Sequence, residues 1–326
     1  MQFHDLHPVV ESMRTAVLEG LRADPPAIPP RFFYDTRGSE LFEAICRQPE
    51  YYLPRAERQI LRENAAEIGD WLGDGCVLIE PGAGASVKVR LLLEYARPGA
   101  YVPMDIAGDF LRRSAGRLAE EYPWLDIHAA CVDFCHALDL PEGLPAGRRV
   151  AFFPGSSLGN FEPRDAACFL RGIARMVGPG GGLLIGVDTK KDSDRLNAAY
   201  NDCGGVTAAF NLNLLDRINR ELGANFDLDQ FEHRAFYDED LGRIEMHLES
   251  RREQRVRVAG EPFDFDAGTR IHTECSYKYS PAEFTTLAER AGLRLRRRWQ
   301  DRECLFAVYY LECDSLKPDG LEFALA

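Results

Sequence analysis

Residues 77–84, VLIEPGAG, constrain the fold of this chain more than any other stretch. Three apolar residues run into an acid, a proline and two close glycines, which is how a buried parallel strand ends in a tight turn beneath a ligand. Glycine has no Cβ, so Gly82 or Gly84 can take positive φ and a bound molecule can come close to the main chain. A helical-looking run over 86–96 follows. Asp105 lies 23 residues after Gly82, at the end of a second apolar run, AYVPMD. That spacing suits a carboxylate that accepts hydrogen bonds from ribose hydroxyls.

A dinucleotide-binding turn wants a third glycine at position 87, where this chain has Val87, and no GxxxxGK loop is present. The missing glycine counts against NAD or FAD. A nucleoside without a pyrophosphate needs less close backbone approach, so S-adenosylmethionine fits the shortened turn better. The bland alternative is a plain strand-turn-helix connection of any α/β protein.

Around this segment the chain reads as alternating strands and helices. Residues 1–22 carry a helical pattern through Val9, Val10, Met13, Val17, Leu18 and Leu21, stopped by Pro25, Pro26, Pro29 and Pro30. Residues 31–57 are dense in aromatics, with Tyr34 on one side of a short predicted helix (39–47) and Tyr51 and Tyr52 on the other; they read as packing or as a lid over the turn. A helix over 55–71 leads into VLIEPG. Then come AYVPMD, a helix over 108–122, DIHAACVDF, RRVAFF, a helix over 164–177, and GGLLIGVDT. This alternation predicts a parallel sheet wrapped by helices, with ligands beyond the carboxyl ends of the strands. The polar strand ends lie there: Glu80, Asp105, Asp133 with Phe134, Gly155 to Asn160, and Asp188. In FFPGSSLGNF, Asn160 reads either as a ligand contact, offering both an amide donor and a carbonyl acceptor, or as the cap of the next helix.

Beyond Asp188 a long helical stretch over 196–223 precedes strand-like segments in which Ile244, Met246 and Leu248 alternate, and LRLRRRWQD and ECLFAVYYLE form a closing hairpin that completes the main sheet. An α+β lobe is therefore expected between the fifth strand and the chain's end. Three residues here keep two readings: Lys88 as a ligand contact or a solvated helix residue, Tyr200 as a site or a core residue, Glu274 as a buried acceptor or an exposed strand glutamate.

The composition excludes several classes. The 39 basic and 52 acidic side chains leave a net charge of −13 without a Lys/Arg cluster, so no nucleic-acid partner is expected. The longest uncharged run, residues 203–215, has 13 residues, short of the ~20 that cross a bilayer. With no apolar leader at the start, no membrane association and cytoplasmic residence are the expectation. The nine cysteines show no CxxC pair, and Cys131, Cys135 and His136 lack a second pair, so no metal is expected.

The strand ending in an acid and Gly-x-Gly, the acid after the second strand and the Asp-Phe after the third resemble S-adenosylmethionine-dependent methyltransferases of the Rossmann-like class. FYDTRGSELFEAICRQPEYY, FPGSSLGNF, AYNDCGGVTAAFNLNLL, IEMHLES and IHTECSYKYS, in this order across residues 31–311, resemble the histidine-specific methyltransferase family. The resemblance implies a class I methyltransferase sheet over 58–189 and 280–326, and a substrate lobe with an N-terminal lid over 1–57 and 190–279. It implies S-adenosyl-L-methionine as cofactor, with Tyr34, Gly82, Gly84, Lys88, Asp105, Asp133 and Phe134 around it. It implies a small-molecule substrate, L-histidine, whose amino-acid end is held by Tyr51, Asn160 and Tyr200, the residues nearest the chemistry. Its ring is held by Glu274 and Ser276 beside Met246, and the implied product is hercynine, for ergothioneine. Indole-using members are not expected to keep a carboxylate at 274. Alternatives are action on another aromatic amino acid or a histidine derivative, and a silent S-adenosylmethionine-binding protein. Pro81 before Gly82 and Cys275 between the ring contacts are the departures noticed.

Overall fold

The computed structural model describes residues 1–6, 12–133 and 139–314. They divide into two compact units, one drawn from Met1–Val9, Arg55–Thr189 and Tyr279–Ala326, the other from Val10–Pro54 and Lys190–Lys278. The strands in chain order are β1 (Gln2–Asp5), β2 (Val77–Pro81), β3 (Ala100–Asp105), β4 (His128–Cys131), β5 (Arg149–Phe153), β6 (Gly182–Asp188), β7 (Phe231–Asp238), β8 (Arg243–Ser250), β9 (Gln254–Val258), β10 (Glu261–Phe265), β11 (Arg270–Tyr277), β12 (Leu293–Gln300) and β13 (Phe306–Cys313).

The first unit holds an eight-stranded sheet in the order β1-β4-β3-β2-β5-β6-β13-β12. Pairing is parallel from β1 through β6, then antiparallel from β6 to β13 and from β13 to β12. β2 and β6 are buried along their whole length, as continuous apolar runs covered on both faces must be. Each fully buried Leu, Ile or Phe contributes roughly 1.5–3 kcal/mol against exposure. The chain proceeds outward from β2 to β3 and β4, then returns to place β5 on the other side of β2. This reversal is the switch point at which doubly wound sheets bind ligands, and it puts the turn after Pro81 there. The edge strand β12, LRLRRRWQ, carries a row of arginines that discourages further strand pairing.

Four predicted helices differ. The segment expected as one helix over 1–22 starts instead with β1, which pairs with β4, and its helix begins at Met13; Val9 and Val10 lie outside the described residues. The side chain of Ser12 accepts the Thr15 N–H, a cap that halts the helix whatever the apolar period upstream. The helix over 55–71 is two, Leu53–Glu63 and Ala65–Leu72. The run over 86–96 becomes helical only at Arg90–Ala96. The long stretch after residue 196 splits into Ser193–Tyr200 and Val206–Leu222, because Asp202 accepts the Val206 and Thr207 N–H groups at 2.8 and 2.7 Å and Gly205 takes φ 67°.

The second unit is α+β, with an antiparallel β11-β8-β7 sheet and a β9-β10 hairpin. Residues alternate between partly and fully buried along β8, and Ile244, Met246 and Leu248 lie on its buried face. A register shift between His272 and Glu274 inserts Thr273 into β11; its hydroxyl donates to the Met246 carbonyl at 3.0 Å. Among the described residues no helix is long and apolar enough to cross a membrane.

Candidate active site

In the first unit the site begins where β2 stops. Pro81 still pairs with Met104, so the proline extends the strand without disturbing the glycine turn. Gly82 and Gly84 then take φ 67° and 51°, as a turn of this tightness requires. A Cβ on Gly84 would meet nothing within 4 Å, so the space beside the turn is open. The Gly84 N–H donates to Asp105 Oδ2 at 3.1 Å and the Ala107 N–H to Oδ1 at 2.9 Å. Two backbone donors therefore hold the carboxylate at the strand end, while each oxygen keeps further acceptor capacity. The residues present fit a ribose-bearing cofactor on these grounds: an open backbone turn and a fixed, half-exposed acid. Asp133 lies just past β4; Phe134, with Cys135 and His136, lies outside the described residues. Cys131 is buried and donates its thiol hydrogen to the Ile106 carbonyl. No group of three or more His, Cys, Asp or Glu is placed to hold a metal among the described residues.

Glu80 lies beneath the turn. Its carboxyl accepts from the Tyr101 hydroxyl, which also sits 3.1 Å from Ser86 Oγ. Burial pushes the Glu80 carboxyl up to about 8. It therefore braces the turn as a neutral acid at neutral pH.

Lys88, at the end of the same turn, is half-buried and paired. It forms an ion pair with Glu57, a residue only 1% exposed. The other Glu57 oxygen accepts the Gly155 N–H at 2.8 Å. Glu57 thus ties the turn after β2 to the loop after β5. That loop has left-handed backbone at Gly155 (φ 90°) and at the non-glycine Ser156 (φ 60°), whose Oγ accepts the Asp188 N–H at 2.9 Å. Gly186 in β6 makes room: a Cβ there would lie 2.0 Å from Glu57 Oε1. Asn160 ends the short 3-10 turn Ser157–Asn160. The cap position of the following helix belongs to Glu162, which removes the capping reading of Asn160. Sequence reasoning missed Glu57, since a glutamate in an amphipathic helix carries no signal that it points inward.

The second unit gathers the other candidates. Tyr51 and Tyr200 are buried and meet edge to face at 5.9 Å. Tyr34 is 46% exposed and packs edge-on against Phe42 and Phe210 at 5.7 and 5.9 Å. The Tyr200 hydroxyl donates to Ser276 Oγ at 3.0 Å. Tyr200 is the last residue of its helix, and its carbonyl is 2.9 Å from His233 Nε2, while Asn211 donates to Nδ1 at 2.9 Å. Burial lowers the His233 pKa, so a neutral ring with its proton on Nε2 clamps the helix end.

Glu274, Ser276 and Lys278 follow at two-residue intervals and so share one side of the extended chain. Cys275 between them takes the other side, and Met246 is the cross-strand partner of Glu274. Glu274 is only 9% exposed, which removes the exposed-glutamate reading. Burial pushes its carboxyl up to about 7, with Lys278 opposing the shift. Its carboxylate has no hydrogen-bond partner among the described residues. A ligand donor that excludes water from this carboxylate would pair with it, and a ligand without one would leave it unsatisfied at a cost of roughly 1–3 kcal/mol or more. Lys278, unremarked in the sequence, is 1% exposed and donates to Ser276 Oγ at 2.8 Å and to the Tyr200 hydroxyl at 3.1 Å.

Comparison with known proteins places these features in a lineage. Histidine N-alpha-methyltransferase of Mycolicibacterium smegmatis is 44% identical over 298 residues, covering 89% of this chain and 92% of that protein. The protein of the same name from Mycobacterium tuberculosis is 43% identical, covering 89% and 91%. Ergothioneine biosynthesis protein 1 of Neurospora crassa is 33% identical over 84% of this chain and 32% of its own greater length. Residues 13–313 match the family described as histidine-specific methyltransferase, SAM-dependent, and with nearly the whole chain matched, the protein belongs to the histidine-specific, S-adenosylmethionine-dependent methyltransferase family.

Proposed function

We propose that the protein transfers three methyl groups in succession from S-adenosylmethionine to the α-amino nitrogen of L-histidine, giving hercynine in ergothioneine biosynthesis. The observation that carries the substrate is Glu274: a buried carboxylate without a hydrogen-bond donor among the described residues, next to a hydroxyl, is completed by a ring bearing an N–H. Family membership and the two relatives above 40% identity support the same reading.

When bound, the cofactor would supply an electrophilic methyl group on a sulfonium to the amine lone pair, with S-adenosylhomocysteine as the leaving group. Gly82, Gly84 and Asp105 would hold its sugar and methionine parts, with Tyr34, Lys88, Asp133 and Phe134 around them. Lys88 reaches that role through its pair with Glu57, which fixes the turn. Tyr51, Asn160 and Tyr200 take the α-carboxylate and amine. The α-ammonium, with a pKa of about 8 or above, must lose a proton before it attacks. Neutral tyrosine hydroxyls and an amide orient the amine without adding positive charge, and burial raises the Tyr51 pKa well above the ordinary phenol value, keeping it neutral. Holding the lone pair against the methyl carbon is the main catalytic work in such a displacement.

The test is mass spectrometry of purified protein with S-adenosylmethionine and an equimolar panel of the twenty amino acids. Three methyl groups gained on histidine alone is the expected result. Methylation of another amino acid overturns the assignment of Glu274 and Ser276, and no product with any of them overturns the enzymatic reading.

A further inference from the structure

The ring pocket has a proton arrangement that its residue types alone do not dictate. Ser276 Oγ is 4% exposed as a residue and receives two hydrogen bonds, from the Tyr200 hydroxyl at 3.0 Å and from Lys278 Nζ at 2.8 Å. An ammonium has donors and no acceptor, and a serine oxygen has two lone pairs and one hydrogen. With both lone pairs engaged, the Ser276 hydrogen can only point elsewhere, as a donor. Lys278 also donates to the Tyr200 oxygen at 3.1 Å, which leaves the Tyr200 hydrogen for Ser276. All three bonds therefore run one way, from Lys278 towards Ser276. On the same side of the chain stands Glu274, an acceptor without a donor among the described residues.

We propose that Lys278 is a positioning residue that turns the Ser276 hydroxyl into an obligate donor, so that the pocket admits the substrate ring as a neutral imidazole in one tautomer, its N–H on Glu274 and its bare nitrogen on Ser276. This rests on histidine being the substrate. An imidazolium has two N–H groups and would set one of them against the Ser276 hydrogen; the opposite tautomer would set its bare nitrogen against the Glu274 carboxylate. The buried Lys278 ammonium and Glu274 carboxylate also balance each other's charge, so a neutral ring enters at no net electrostatic cost while a cation would not. The device separates two tasks: Glu274 demands an N–H, and Lys278, through Ser276, demands a lone pair two bonds away in the ring.

The experiment is 15N NMR of ring-labelled histidine bound to the wild-type protein with S-adenosylhomocysteine, at a pH near 6.5, where free histidine is about half protonated. One pyrrole-type and one pyridine-type nitrogen is the expected pair of signals. Two protonated nitrogens, or tautomers averaged as in solution, would overturn the role of Lys278 while leaving the substrate intact; absence of any bound histidine would remove the substrate reading and this inference with it. In a second arm, Lys278→Met should weaken histidine binding about tenfold or more with S-adenosylhomocysteine affinity retained. In that background Ser276→Ala should cost much less than it does in the wild type, since the serine has lost the group that aims it. Equal costs of Ser276→Ala in both backgrounds would refute the coupling.

Discussion

The turn after β2 and the face of β11 treat their acids in opposite ways. Around the turn the acids are satisfied from within: Asp105 by two backbone N–H groups, Glu57 by Lys88 and Gly155, Glu80 by Tyr101. On β11 Glu274 is left open beside a hydroxyl whose acceptor sites are filled. A site whose polar groups are already paired is preorganised, and it receives a ligand without reorganising. A site with one buried acid unpaired is selective, because a ligand lacking the matching donor leaves the desolvation cost in place. The first arrangement suits a cofactor shared by many enzymes, and the second suits the group that distinguishes one amino acid from another.

The contrast breaks most sharply at Glu274. Glu274→Ala is expected to lower kcat/KM for histidine about 10²-fold, with S-adenosylhomocysteine affinity unchanged by calorimetry; equal losses of both would erase the distinction between the two sites. Asp105→Ala makes the complementary cut. It should weaken S-adenosylhomocysteine binding roughly 10- to 100-fold, since the acid also holds the Gly84 N–H, and leave histidine binding to the remaining cofactor complex nearly intact. A smaller effect tests the preorganisation of the turn. Gly186→Ala must displace Glu57 or shift β6, at a cost of ~1–3 kcal/mol, and thermal unfolding should show it together with weaker cofactor binding; an unshifted melting temperature would mean Glu57 is not held as described.

The pH dependence divides in the same way. As the proposed acceptor of a ring N–H, Glu274 must be ionised, and its pKa is raised to about 7, so histidine affinity should fall as pH drops through that value. Tyr34, Tyr51 and Lys278 interact electrostatically with it; its carboxyl titrates between pH 6 and 8, joined by the substrate's own imidazole near 6.5. Titration of histidine at several pH values with wild type and Glu274→Gln checks this, the variant showing the imidazole step alone. A second pH effect, on stability, belongs to Glu80. Its folded pKa, about 8, lies above the ordinary carboxyl value, so its neutral form stabilises the fold at low pH and that stability is lost as pH rises from about 4.5 through 8. Glu80→Gln should flatten the decline of the melting temperature over that range by a few degrees, and a parallel decline would show that another group is responsible.

Much of this was legible in the chain itself. The strand ends, the glycines of the turn and the Ile244-Met246-Leu248 alternation follow from period and steric freedom, which act over a few residues. The helix breaks at Ser12 and Asp202 were also written in the sequence, as capping side chains, but apolar period outweighs them in a sequence reading. Burial of Glu274 was open until the sheet around it was seen. Glu57 and Lys278 were not legible, since each acts through partners distant in the chain: Glu57 through Gly155, 98 residues on, and Lys278 through Tyr200, 78 residues back.

By itself, then, the sequence determined the sheet, the place of the turn at its switch point and the residue types lining the two sites. These depend on local propensity and on the pattern of apolar burial. The tertiary structure alone decided which acids are satisfied and in which direction each hydroxyl donates. A hydrogen bond's sense belongs to a cluster rather than to a residue: Ser276 is donor or acceptor according to what surrounds its oxygen, and its surroundings are Tyr200 and Lys278.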